Sequence, residues 1–340
     1  MTKIHLENKR IVKKFHDKIN GSTPDTIVTI VNEHCHEDIC WNGSQPFNEL
    51  NGNDKLIETF WKPFLKSFPD AKKDVYLHYA GNDPLHDGQD WVVSSGNYIA
   101  TFTNDWLDIP ATGGVVWIRF AEFNQVVNGK IQQTYTLLDI LDLMRQAGFK
   151  FIKSLAPEVN IPGPATLDGV IMGESDPVES KKSYQTMYDM IFGGLLTFDE
   201  QKGIADMGMG RYFSQDFNWY GPCGIGSTKG IKGFEKYHQI PFLNALPDRD
   251  LQHGLADSIY IGESKYAALV EWSGFTATHT GNDWLGLPAT GKHLVMRNFD
   301  FYRREGDYLV ENWVFLDMID ILGQLGVDIF DRLRTCLLYT

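Results

Sequence analysis

Apolar residues recur along the chain at two periods, and the periods alternate in the same order twice over. Near the start, Thr23-Pro24-Asp25 reads as a helix start with proline in its first turn, and Ile27, Ile30 and Val31 follow at helical spacing. Residues 55–68 predict a second helix with Leu56, Phe60, Phe64 and Leu65 on one stripe, and residues 233–246 repeat it. Strand-like stretches come next. In the second half they are 265–280, 292–303 and 308–318, with Glu305-Gly306-Asp307 as the hairpin turn between the last two. The first half matches, with Val127-Asn128-Gly129-Lys130 at the corresponding turn. A short closing helix at 319–325 echoes 141–147, and Asp139 and Asp317 stand where N-caps belong. Helices followed by a long antiparallel sheet give an α+β order. A helix packed into a bent sheet leaves a conical cavity open at one end.

The halves are copies. Asn104-Asp105-Trp106-Leu107-Asp108-Ile109-Pro110-Ala111-Thr112-Gly113 recurs as Asn282-Asp283-Trp284-Leu285-Gly286-Leu287-Pro288-Ala289-Thr290-Gly291, an offset of 283 − 105 = 178. That offset also pairs Trp41 with Trp219, Gly43 with Gly221, Pro63-Phe64-Leu65 with Pro241-Phe242-Leu243, Gly96 with Gly274, Arg119 with Arg297, and Asp139 with Asp317. One register held this far marks a tandem duplication. Between the copies, Ala156-Pro157-Glu158-Val159-Asn160-Ile161-Pro162-Gly163-Pro164 and then Gly169, Gly173 and Pro177 break helix and strand alike. The division is a first domain at 1–155, a linker at 156–178 and a second domain at 179–340. A length of 340 residues also exceeds what one core usually supports.

Composition narrows the function classes. With a net charge of −13, and with Lys72-Lys73 and Arg303-Arg304 as isolated basic pairs, the chain lacks the basic face that nucleic acid demands. No run approaches the roughly 20 apolar residues of a membrane span, and the start has no signal-type apolar segment. The 4 cysteines form no CxxC pair, so a cytoplasmic protein with reduced thiols is expected. His34-Cys35-His36 with Cys40 has no second ligand pair, and 212–218 do not repeat it, so no metal is expected. Gly221-Pro222-Cys223-Gly224-Ile225-Gly226 lacks the Lys and Ser/Thr of a phosphate loop and reads as a loop at a pocket mouth. Aromatics at 13%, with 9 Trp and 21 Phe, suit packed cores first and pocket walls second.

His279-Thr280-Gly281-Asn282-Asp283-Trp284-Leu285-Gly286-Leu287-Pro288-Ala289-Thr290-Gly291-Lys292 resembles the HTG…(D/E)(W/F)LG(I/L)PxTG(K/R) signature of SnoaL-like polyketide cyclases. Val295-Met296-Arg297-Asn298-Phe299-Asp300-Phe301-Tyr302-Arg303 is similar to that family's acid-bearing strand. Glu311-Asn312-Trp313-Val314-Phe315-Leu316-Asp317 resembles its E(H/N)WxxxD segment, and Gln324-Leu325-Gly326 its terminal QLG. The match is tight over roughly 60 residues at the end of each copy and is stronger in the second. It implies two tandem NTF2-like (cystatin-like) cones, each with N-terminal helices on a curved antiparallel sheet. As a guide to substrate it is weak, because one fold hosts many functions.

The resemblance also implies chemistry. Cyclases of this family close rings by an intramolecular aldol reaction, with acid–base groups and no metal or cofactor. A carboxylate in an apolar pocket suits that task, since burial raises its pKa toward neutrality. On this footing Asp300 is the candidate acid/base, His279 and Arg297 its polar partners, and Trp219 and Trp284 apolar walls. Asp283, Asn298 and Asn312 in the second copy, and Trp41, Trp106, Arg119 and Glu122 in the first, complete the ligand-side set. Strand parity complicates it: Asn298, Asp300 and Tyr302 share one face while Arg297, Phe299 and Phe301 share the other. Phe299 and Phe301 read as core, which would turn Asp300 toward an open polar side. The constant offset also pairs His279 with Thr101 and Asp300 with Glu122, so the second copy is the better candidate for a working pocket. Three readings stay open: a cofactor-independent cyclase- or isomerase-type enzyme acting on a hydrophobic carbonyl compound, a non-catalytic carrier of an apolar ligand, and a structural pseudo-enzyme. The two copies are expected to pair within the chain, with a homodimer possible, and neither nucleic acid nor membrane is expected as a partner.

Overall fold

A computed structural model of the chain describes residues 3–86, 88–197 and 207–339. The first copy opens with α1 (Lys3–Ile19) and α2 (Thr26–His34), then strands β1 (Cys35–Gly43) and β2 (Glu49–Asn51). A helix follows in three contiguous pieces: α3 (Asn53–Leu56), a widened π turn (Ile57–Trp61) and α4 (Lys62–Ser67). Pro63, lacking an N–H, opens the helical ladder at the point where the turn widens. Strands β3 (Lys72–Asp83), β4 (Gln89–Thr101), β5 (Val115–Val127) and β6 (Lys130–Leu138) complete the sheet, and α5 (Ile140–Gln146) closes the copy. Asn128 and Gly129 both take positive φ, 48° and 82°, as the tight β5–β6 hairpin demands.

The second copy repeats this order. After α6 (Pro177–Gly193) come β7 (Phe213–Tyr220), β8 (Ser227–Lys229), α7 (Gly230–Phe234), a second π turn (Glu235–Gln239) and α8 (Ile240–Ala245). Then follow β9 (Ser258–Glu263), β10 (Tyr266–Thr278), β11 (His293–Glu305), β12 (Tyr308–Leu316), α9 (Met318–Gln324) and α10 (Ile329–Tyr339). The sheets share one topology, β2-β1-β6-β5-β4-β3 and β8-β7-β12-β11-β10-β9. Both are mixed rather than wholly antiparallel as expected, because β1 runs parallel to β6 and β7 to β12. Asp139 and Asp317 cap the closing helices, accepting from the backbone N–H of Asp142 and Asp320. No described helix is long and apolar enough to cross a membrane.

Each sheet is buried on both faces. Its concave face wraps the helices of its own copy. Its other face packs against the sheet of the other copy, forming a second core of Tyr79, Phe123, Tyr266, Phe299, Phe301 and Trp313 with their neighbours. Phe123 lies 5.5 Å from Phe299 and 6.0 Å from Phe301, and the Tyr79 hydroxyl donates to the Ala267 carbonyl at 2.8 Å. Lys9 of α1 reaches across to Glu263 at 2.7 Å, fully out of solvent. Phe299 and Phe301 are therefore core, but of the contact between copies, and Asp300 turns into its own cone instead of toward an open polar side.

The 178 offset does not hold throughout. In β10 the pairing slips between Glu271 and Phe275, a bulge absent from β4, so Glu271 rather than Gly274 holds the register place of Gly96. Beyond the bulge, Thr101 and Thr278 make the same backbone bond to Asp70 and Asp248. His279 then stands where the first copy has Phe102, not Thr101: both N–H groups pair across the same loop, with Gly114 and Lys292. Val170 bridges to His78 beside the β3 edge, the Pro162 carbonyl accepts the Trp313 indole N–H, and α6 begins at Pro177 under an Asp176 cap.

Candidate functional site

The second cone encloses a cavity of about 130 Å3. One water needs roughly 10–15 Å3 on such a scale, and a cavity of roughly 150 Å3 accepts benzene. Apolar walls come from Met190, Ile191, Phe213, Leu269, Phe275 and Val314 among others. Trp219 on β7 lies flat against His238 at 4.1 Å, and His238 against Phe242 at 5.4 Å. The Trp219 ring folds over Gly221, where a Cβ would sit 2.4 Å from it; Trp41 folds over Gly43 in the same way.

The first cone fills the corresponding space with its own side chains. At the 178 offset His238 and Gln239 replace Phe60 and Trp61, Ile225 replaces Phe47, and Asn298 replaces Phe120. All four first-copy residues are buried in its core, with Trp41 4.9 Å from Phe60. Large aromatics traded for smaller side chains leave the room in the second cone.

Asp300 opens onto that cavity from β11. Asn298 and Asn312 donate to its two oxygens at 3.1 and 3.0 Å, and Tyr302 bonds to it as well. Burial raises its pKa, only partly offset by these donors. Glu271 on β10, opposite Asn298, lines the same cavity and is 4% exposed. Burial, and then the charge of Asp300, push it up to about 8. The Asn298 Oδ1 is buried without a partner. His238 is driven down to about 3 by burial and by Arg249, so its imidazole is neutral.

Glu122, at the place of Asp300, meets a different environment. Lys73 pairs with it and His16 bonds to it at 3.0 Å, every one of the three buried. Burial alone would raise Glu122, but Lys73 and His16 outweigh it and hold the carboxyl at about 2. One copy thus pairs its carboxylate with a buried ammonium and an imidazole whose pKa burial lowers, and the other holds it among two amides and a phenol.

Of the candidates read from sequence, the cavity gathers Asp300, Asn298, Asn312 and Trp219. The others lie elsewhere. His279 is fully buried at the foot of the Asn282–Gly291 loop, its Nδ1 bonded to Thr290 at 3.1 Å and its ring 5.9 Å from Trp284. Trp284 is core beneath that loop, and Asp283 is exposed at φ 62°. The two arginines, on the parity opposite Asp300, clamp the copies together. Arg119 donates to the carbonyls of Gly221 and Val314 at 3.0 and 3.1 Å and lies 4.0 Å over the Phe315 ring. Arg297 reaches Asn48 at 3.2 Å and Asp317 at 3.5 Å. Trp41 and Trp106 belong to the packed first core. Glu271 was missed, although a lone acid in the apolar run Tyr266-Ala267-Ala268-Leu269-Val270-Glu271 was a visible signal.

No curated protein matches the chain. Among solved structures, a SnoaL-like protein of Jannaschia sp. CCS1 is 16% identical, covers 44% of this chain and 98% of its own, and has a TM-score of 0.38. AclR of Streptomyces galilaeus is 19% identical, with coverage of 43% and 89% and a TM-score of 0.35. IdmH of Streptomyces antibioticus is 14% identical, with coverage of 41% and 97% and a TM-score of 0.35. The family model of SnoaL-like polyketide cyclases matches residues 10–147 and again 207–325, about three-quarters of the chain. Each matched stretch carries one of the six-stranded sheets, and the chain accordingly belongs to the SnoaL-like polyketide cyclase family, as two NTF2-like domains in tandem.

Proposed function

We propose that the second cone binds a compact hydrophobic carbonyl compound and rearranges it by acid–base catalysis without a cofactor, Asp300 being the proton-transfer group, while the first cone is structural. The observation that carries this reading is Asp300 itself: a carboxyl on the wall of an apolar cavity, held by two amides and raised by burial. Burial shifts this carboxyl upward, the direction that general acid–base catalysis by a carboxyl calls for. The Trp219, His238 and Phe242 rings, stacked in series on the cavity wall, suit an unsaturated or ring-shaped substrate.

A carrier of an apolar ligand is the second reading, favoured by walls that are mostly aliphatic and aromatic. A thermal-shift screen over phenols, quinones, terpenoids and fatty acids of one to four rings or equivalent length tests both. A ligand at about a hundred times its Kd adds roughly 2.7 kcal/mol, a shift of a few degrees. Hits weakened by Trp219→Ala place the ligand in the second cone. Turnover of such a hit, abolished in Asp300→Asn, supports the enzyme; binding without turnover supports the carrier. A hit indifferent to both substitutions would sink the assignment to this cone.

A further inference from the structure

We propose that Glu271 is the proton-donating partner of Asp300, protonating the oxygen of an enolisable one-ring ketone while Asp300 removes the proton from the adjacent carbon. The inference rests on the reading of the second cone as a reaction site. Its geometric basis is the β10–β11 ladder. Glu271 pairs with Asn298, and Leu269 with Asp300, so the two carboxyl groups stand one pleat apart on the same face. Both line the cavity, with the Asn298 amide between them. Asn298 lines that cavity, and its Oδ1 is buried without a partner.

The first copy shows what the pair replaces. At the register place of Glu271 it has Gly96, whose own Cβ would strike the Asp74 carbonyl at 2.0 Å. Its carboxylate, Glu122, is neutralised by Lys73 and hydrogen-bonded to His16. In the second copy the groups bonded to the acids are Asn298, Asn312 and Tyr302 at Asp300, and Tyr260, 3.4 Å from Glu271, with Asn298. The other titratable groups on the cavity wall are His238, held neutral by burial, and Arg249, whose guanidinium lies 5.4 Å over the Phe242 ring. Two carboxyl groups in an apolar site do not both ionise, so the pair retains one proton. Burial and the neighbouring charge place that proton on Glu271, up to about 8.

The step balances without a co-reactant. The substrate C–H bond breaks, its proton passes to Asp300, and its electron pair forms the new C=C bond. The carbonyl π pair takes the proton of Glu271, giving a neutral enol. The pair still holds one proton, now on Asp300. Protonation of another carbon by Asp300, or attack of the enol on a second carbonyl whose alkoxide takes that proton, completes the change as the enol oxygen returns its proton to Glu271. The free volume of about 130 Å3 fits one ring better than several.

The test is a 13C NMR pH titration of full-length protein labelled at the glutamate carboxyl carbon, in which Asp139 and Asp317 are silent. The wild type is expected to show one glutamate titrating near about 8, absent from Glu271→Gln and moved to lower pH in Asp300→Asn. Hydrogen–deuterium exchange at the α-carbon of a one-ring enone such as cyclohexenone is read alongside. Both variants should slow it by about 100-fold or more, and Glu271→Gln should also lose the alkaline limb of the pH profile. If every wild-type glutamate titrates in the ordinary carboxylate range, the pair is overturned whatever the cavity binds. If Glu271→Gln keeps the wild-type rate and alkaline limb, Glu271 is not the donor. An intact titration with neither exchange nor ligand binding overturns the catalytic reading of the cone, and the donor role with it.

Discussion

Glu122→Gln and Asp300→Asn make the same chemical change at equivalent places in the two cones, and their effects on stability should differ. In the first cone Lys73 is 4% and His16 3% exposed, and both bond to Glu122. Replacing the carboxylate leaves a buried ammonium without its counter-charge, which costs about 3–5 kcal/mol. The proton equilibrium gives a similar figure. A carboxyl held at about 2 against an ordinary 4.5 represents on the order of 3 kcal/mol. In the second cone no such loss follows, because burial makes ionised Asp300 a burden rather than a support. Asp300→Asn should leave stability within about 1 kcal/mol of wild type, or raise it, as removal of functional groups from active sites often does. Urea unfolding at pH 7, followed by tryptophan fluorescence, reads both. The depressed Glu122 pKa further predicts an acid limb: its stabilisation is complete above about 4.5 and is lost as pH falls toward about 2. Glu122→Gln should flatten that limb. Equal losses in both variants, or a neutral Glu122→Gln, would refute the division into a structural and a functional cone.

Three further outcomes follow from the contact between copies and from the Asn282–Gly291 loop. Arg119→Ala, which frees the Gly221 and Val314 carbonyls and uncovers Phe315, should cost about 2–4 kcal/mol in urea unfolding and split one transition into two. His279→Phe, which restores the residue type of Phe102 and removes a buried Nε2 without a partner, should hold or raise the melting temperature and leave ligand binding unchanged. Asp139 and Asp317, which accept the backbone N–H groups of Cys223 and Gln45 across the contact, are each raised by burial to about 7. Their native states hold protons that the unfolded chain has released, so stability should fall as pH rises from about 4 to about 7. The double variant Asp139→Asn/Asp317→Asn should weaken that slope in urea midpoints taken at pH 5 and 7.5.

Periodicity and the repeat carried most of the fold. The helix stripe at Leu56, Phe60 and Phe64, the Asn128-Gly129 turn and the Asp139 and Asp317 caps are local features whose physics is complete within a few residues. The π turns escaped notice, because a proline at 63 or 241 equally allows a simple kink. The candidate site was legible in part. Parity correctly separated Asp300 from Phe299 and Phe301, but it left open whether Asp300 faced the cavity or an open polar side, where the structure has a second buried face. That face exists only because the other copy's sheet covers it, a long-range fact with no trace in local pattern. The arginines at 119 and 297 recur in both copies because both sides of the contact need them, and recurrence alone does not distinguish that from a shared ligand. His279 was misplaced by one residue because the second copy has two residues, Thr280 and Gly281, before the Asn282 loop where the first copy has Thr103 alone.

A crystal soaked with a one-ring bromophenol tests the central claim most directly, since bromine can be located by its anomalous scattering in either cone. The account predicts a single site in the second cone, with the ring against Trp219 and the hydroxyl toward Asp300, Glu271 and Asn298. Bromine in the first cone or between the copies, or an empty second cone at saturating ligand, would contradict it.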